Sequence, residues 1–157
     1  MGQNQKPGQK IILEDLGKRS MRAQLGSLCW RRAGDEIEVC LITTRDTGRW
    51  MIPKGWPMHG KTPAQCAATE AWEEAGLRGA MSEMAIGVFH YVKDLPQGDV
   101  PVMCAVYPME VTKEASKWDE RNERKRRWVS LEKAARKVDE PELSRLLRDP
   151  TLPDRLR

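Results

Sequence analysis

At 157 residues, 39% hydrophobic, 32% charged and with a net charge of +4, the chain has the make-up of one globular domain large enough to bury a core without staples. It carries no internal repeat and no low-complexity tract. No stretch approaches 18 apolar residues and no secretory leader is visible, which predicts no membrane span and a cytoplasmic location. The positive excess suits an anionic substrate as well as simple solubility.

Residues 1–20 are polar and charged with little alternation and read as a loose arm or a short first strand, ahead of a domain over 21–149 and a tail over 150–157. Strand-like runs follow at Arg22–Arg32 and Glu36–Thr43, joined by the turn-prone Ala33-Gly34-Asp35, with a short strand at Trp50–Ile52. A loop then leads into a helix that stops at Gly76. Strands are expected at Met84–Val92 and Val100–Val111, linked by a Pro/Gly turn at Leu95–Gly98, and a last strand at Lys125–Val129. Ser130 caps a helix to about Lys137, and Pro141–Arg148 reads as another. This order predicts an α/β fold, a mixed sheet between helices. Cys29, Cys40, Cys66 and Cys104 are far apart and form no CxxC pair, so reduced, buried cysteines are expected rather than zinc or disulfides.

The densest chemistry lies in residues 55–77, GWPMHGKTPAQCAATEAWEEAGL. Thr62 is placed to cap the helix and Pro63 fits its first position. Ala64, Ala67, Ala68, Ala71 and Ala75 make a narrow apolar stripe that lets the backbone lie close to a sheet. Glu70, Glu73 and Glu74, at i, i+3 and i+4, are expected on another face, towards the loop at Gly55. Their mutual repulsion is costly unless cations bind among them. A bare ExxEE is most often a solvated helix end; the loop, cap and stop around this one favour a divalent-metal platform.

This stretch resembles the Nudix hydrolase signature GX5EX7REUXEEXGU, with U aliphatic. Gly55, Glu70, Glu73, Glu74 and Gly76 match in register, a coincidence on the order of 10⁻⁶ per start position at average residue usage. Trp50-Met51-Ile52-Pro53-Lys54-Gly55 looks like the family's approach to the loop. Arg126-Arg127-Trp128-Val129 looks like the late strand of the subgroup cleaving diphosphoinositol and diadenosine polyphosphates. The resemblance, over roughly 22–147, implies a Nudix-type α/β/α sandwich and hydrolysis of a phosphoanhydride with Mg²⁺, or Mn²⁺ in its place. It implies that Glu70, Glu74 and the Gly55 carbonyl bind metal, and that Glu73 is the general base. It places Arg22, Thr43, Thr44, Arg45, Lys54 and Arg124 where substrate phosphates are held, as bidentate arginines suit. Two positions depart from the signature: Lys61 stands for its first glutamate and Thr69 for its arginine. In the family these residues support the loop and orient the catalytic acids, so their loss bears on metal affinity and rate.

Three functions follow. The first is hydrolysis of a small dinucleoside or diphosphoinositol polyphosphate. The second is removal of pyrophosphate from RNA 5′ ends, and the third a non-catalytic nucleotide-binding module, which Lys61 and Thr69 would allow. The basic run Arg121–Arg127 reads equally as a solvated charge run, and a nucleic-acid surface is the weaker interpretation. Trp56, on the loop, and Trp72, on the helix, are each placed to stack a base, although packing is the commoner role of such residues. His59 and His90 form no pair with a nucleophile and receive no catalytic role.

Overall fold

The computed structural model describes residues 21–156. β1 (Arg22–Ala33) and β2 (Glu36–Thr43) form a hairpin that turns at Gly34, φ 66°. Short β3 (Trp50–Met51) pairs with β2, and β4 (Lys54–Gly55) pairs with β1 through Leu25 opposite Gly55. Helix α1 (Pro63–Glu70) is followed by β5 (Leu77–Met81), β6 (Gly87–Leu95), the 17-residue β7 (Gly98–Glu114) and β8 (Arg126–Ser130). Helices α2 (Leu131–Lys137), α3 (Pro141–Arg148) and α4 (Leu152–Arg155) complete the described chain. Most neighbours are antiparallel, but β1 and β7 run parallel from Arg22 opposite Val102 to Trp30 opposite Glu110, so the sheet is mixed.

The centre of β1 is buried on both faces, as expected of a strand between two layers. Leu28 and Trp30 of β1, with Val39 and Leu41 of β2, pack on one side with Ala134, Leu143 and Leu147 of α2 and α3. Cys29, Cys40 and Ile42 pack on the other side with Ala71 and Ala75, while Leu25 packs with Cys66 and Ala67 of α1. The result is the expected α/β/α sandwich. All four cysteines are free and buried, and burial pushes the Cys29 and Cys104 thiols up to about 12.

The element boundaries differ in three places. The strand expected from Met84 begins at Gly87. β5 was not expected, because Leu-Arg-Gly-Ala-Met has little β character; it forms where β7 outruns β6 and leaves an edge to be paired. Leu152 and Leu156, in the segment expected to be a tail, are fully buried in the core. The arm expected over 1–20 lies outside the described residues.

Candidate active site

The loop from Gly55 and the helix after it are tied at their junction. Thr62 Oγ1 accepts from the Gln65 N–H at 3.2 Å, and Gln65 Oε1 accepts from the Thr62 N–H at 2.9 Å, a reciprocal cap that starts α1. Ala64, Ala67, Ala71 and Ala75 lie on the sheet side, each at most 1% exposed. Beyond Glu70 the helix widens into a π turn over Ala71–Ala75. The Gly76 N–H reaches back to the Ala71 and Trp72 carbonyls, and Gly76, at φ 68°, ends the helix.

That wide turn carries Glu73 and Glu74. In a turn closed by i→i+5 bonds, residues four apart come closer to eclipsed and residues three apart diverge. Glu70 and Glu74 accordingly meet, one carboxyl hydrogen-bonding the other, and both are nearly buried. Glu73 is half-buried and is not among the side chains lining the cleft; its carbonyl accepts from the Glu120 N–H at 3.2 Å. Of the trio expected on one face, Glu70 and Glu74 line the cleft, and Glu73 lies outside that lining with its charge still felt at Glu70.

The pair sits in a cleft of about 600 Å³ that also takes in Gly55, Lys54, Arg45, Arg49, Glu120 and Arg124. Gly55 lies so close to Glu70 that a Cβ there would overlap the Glu70 carboxylate. Burial first, then the contact with Glu74 and the neighbouring acid charges, push the Glu70 carboxyl up to about 8. Burial also raises Glu74, against the opposing pull of the Glu70 hydrogen bond, Arg124 and Lys54. Both carboxyls are thus held above their ordinary range, a crowding of acids that a hard divalent cation would relieve. Among the described residues no three or more His, Cys, Asp and Glu side chains form a ready-made cage. Two carboxylates pressed together beside Gly55 suit Mg²⁺, which keeps several waters and needs one or two carboxylates.

Arg124 holds the acids in place. Its Nε donates to Glu120 at 2.7 Å and its Nη1 to the Thr43 carbonyl at 3.0 Å, while Nη2 stands 3.6 Å from Glu74 Oε2; its side chain is 10% exposed. The Lys54 backbone N–H donates to Glu74 Oε1 at 3.3 Å. Its ammonium lies 4.9 Å from the Tyr91 ring centre, and burial holds its pKa below the usual lysine value.

The remaining expected substrate contacts divide. Arg45 lines the cleft, ion-paired with Glu123 at 3.1 Å. Thr44 lines it too, with its hydroxyl accepting from the Arg49 N–H at 3.0 Å. Thr43 does not line it: its hydroxyl accepts from the Lys125 N–H at 2.8 Å and braces the segment before β8. Arg22 is also outside the lining and lies over the Trp56 ring. The sequence reading overlooked Glu120, Arg49, Lys93 and Tyr91, all of which line the cleft. Glu120 sits in a connection without periodicity, so no pattern in the sequence marks it.

A family model described as the NUDIX domain matches residues 23–149. Nudix hydrolase 12, mitochondrial, of Arabidopsis thaliana is 29% identical over 106 residues, 64% of this chain and 51% of the relative. Human diphosphoinositol polyphosphate phosphohydrolase 3-beta is 28% identical over 131 residues, 82% of this chain and 74% of the relative. The chain spans about half the length of the plant relative. A solved Caenorhabditis elegans Ap4A hydrolase binary complex superposes with a TM-score of 0.61 at 21% identity, covering 81% of this chain and 93% of that one, a likeness of fold. Among the described residues no helix is long and apolar enough to cross a membrane.

Proposed function

Because this chain belongs to the Nudix family, we propose that it is a hydrolase of phosphoanhydrides whose cleft cleaves a dinucleoside or diphosphoinositol polyphosphate with Mg²⁺, or Mn²⁺ in its place. The observation that carries this reading is the buried Glu70–Glu74 pair pressed against Gly55 at the floor of a cleft edged by arginine and lysine. Glu70, Glu74 and the Gly55 carbonyl would hold the metal. Bound there, it would neutralise phosphate oxygens and acidify a water.

The chain's own groups do the rest. Arg124 keeps Glu74 and Glu120 aimed into the cleft, and Arg45, Lys54 and Lys93 offer charge to substrate phosphates. Hydrolysis bonds the water oxygen to one phosphorus, breaks that phosphorus–bridging oxygen bond and releases the other phosphate with the bridging oxygen. The water proton passes to a carboxylate. Glu120 lines the cleft outside the Glu70–Glu74 pair, so we assign it this proton in preference to Glu73, the base expected from the signature.

Four buried free cysteines accord with the reducing cytoplasm we propose as its location. No feature of the cleft favours an RNA 5′ end, which stays as one arm of the test. A panel of diadenosine tetraphosphate, a diphosphoinositol polyphosphate and 5′-triphosphorylated RNA, each with Mg²⁺ and with chelator, decides the matter. Metal-dependent cleavage of a small polyphosphate is expected; cleavage of the RNA alone, or of none, would overturn the reading.

A further inference from the structure

We propose that Trp56 is a stacking platform for a nucleobase, so that the cleft takes a nucleoside-linked polyphosphate with few phosphates rather than a densely phosphorylated inositol. This rests on the hydrolase reading of the same cleft.

Trp56 immediately follows Gly55 and is half-buried, lining the cleft beside Glu70 and Glu74. The Arg22 guanidinium lies over its ring, 4.8 Å from the centroid, yet Arg22 is not part of the cleft lining. The indole therefore carries a cation over its ring and still lines the cavity. That arrangement supports the ring from one side and leaves ring surface towards a ligand. A flat base gains from such a surface, whatever its identity, because every base has a π face. The other candidate indole on this layer is spent: Trp72 lies outside the lining, with Arg78 at 3.7 Å and Lys113 at 5.8 Å from its ring centre. Tyr91 lines the cleft but is stacked on Phe89, and its hydroxyl is bonded to Gln24.

Charge separates the two substrate classes independently. Five basic side chains line the cleft, balanced by five acidic ones. Three of the five, Arg45, Arg49 and Arg124, are already ion-paired with Glu123, Glu140 and Glu120. An inositol bearing a phosphate at each position brings about −1.5 to −2 charges per monoester, more than the five basic side chains, three of them already paired with acids, and a metal offset. A short polyphosphate chain needs fewer cations, and a base on Trp56 supplies binding that costs no counter-charge.

The test compares the full-length wild type with Trp56→Ala and Trp56→Phe. With Mg²⁺, kcat and KM are measured for diadenosine tetraphosphate, for inorganic tripolyphosphate, which has no base, and for a diphosphoinositol polyphosphate. ADP binding is followed by calorimetry without metal. Trp56→Ala should raise KM for the diadenosine compound about tenfold more than for tripolyphosphate and weaken ADP by about tenfold, and Trp56→Phe should recover most of both losses. Equal loss on the base-bearing and base-free substrates, or preference of the wild type for the inositol compound, would overturn the proposal. If no substrate is cleaved, the hydrolase reading fails by itself. Calorimetry then still decides the platform: ADP affinity unchanged in Trp56→Ala rejects it, and a loss rescued by Trp56→Phe upholds it.

Discussion

The Lys61 ammonium donates to Thr69 Oγ1 at 2.8 Å, so the two positions at which the chain departs from its family signature touch each other. Thr69 in turn donates to the Gln65 carbonyl at 3.0 Å, one turn back on α1. The loop and helix thus remain tied, by a neutral acceptor and a lysine where the signature has glutamate and arginine. Restoring one partner alone sets like charges side by side: Thr69→Arg puts a guanidinium against Lys61. We expect Thr69→Arg to lower the melting temperature and weaken Mg²⁺ activation, and Lys61→Glu with Thr69→Arg to recover both. The contact is exposed, so each effect should be about 1 kcal/mol or less, a shift of roughly 2–4 °C. A single Thr69→Arg that melts higher than the double variant would show the two sites to be independent.

Glu74→Gln keeps the shape of the side chain and removes the charge that faces Arg124 and that the proposed metal would use. Hydrolysis at limiting Mg²⁺ should fall by at least about two orders of magnitude, as when a metal ligand is lost. The variant should stay folded, because an amide can still accept from the Lys54 N–H. Initial rates across a Mg²⁺ titration check this; full activity at limiting metal would show that Glu74 is no ligand.

Glu120 and Glu73 offer a direct comparison. Glu120 lines the cleft and Glu73 does not. If Glu120 takes the water proton, Glu120→Gln should cost about 10²–10⁴ in kcat, and Glu73→Gln much less. The kcat profile of Glu120→Gln should also lose its acidic limb. The reverse order of the two losses would return the base to Glu73.

Arg124 and Arg45 should separate kinetically although both were expected to grip phosphate. Arg124 bridges Glu74, Glu120 and the Thr43 carbonyl, whereas Arg45 is 59% exposed at the rim. Arg124→Lys keeps a charge but loses the planar fork, so kcat should fall and stability should drop by about 1.5–3 kcal/mol. Arg45→Ala should raise KM and leave the melting temperature almost unchanged. Thermal melts with steady-state kinetics on both variants read the split.

Stability of the metal-free protein should depend on pH through Glu70. Its folded value of about 8 lies above the ordinary 4.5, so the folded state holds a proton that the unfolded chain has released between those values. The associated stability is fully present below about pH 4.5 and is lost as pH rises through 8. With chelator, the melting temperature should therefore fall between pH 5 and pH 8. Mg²⁺ should reduce that fall by replacing the proton, and Glu70→Gln should flatten it. A fall equally steep in Glu70→Gln would assign it to other groups.

Local chemistry accounts for what was legible in the sequence. Thr62, Pro63 and Gly76 mark helix ends through backbone rules that act within a few residues, and Ala64, Ala67, Ala71 and Ala75 mark the buried side by spacing alone. The strand-like runs of β1 and β2 and the i, i+3, i+4 spacing of Glu70, Glu73 and Glu74 are local in the same sense. What only the tertiary structure decided depends on distant partners. β5 exists because β7 leaves it an edge. The π turn that carries Glu73 and Glu74 is braced by Trp118, 44 residues on, whose Nε1 donates to the Glu74 carbonyl at 3.0 Å. Glu120 reaches the cleft through a loop without periodicity, and Arg124 becomes a brace because three segments end within reach of one guanidinium. The charged residues Glu120 and Arg124 carry no period of their own, so their roles are assigned by which backbone they fold beside.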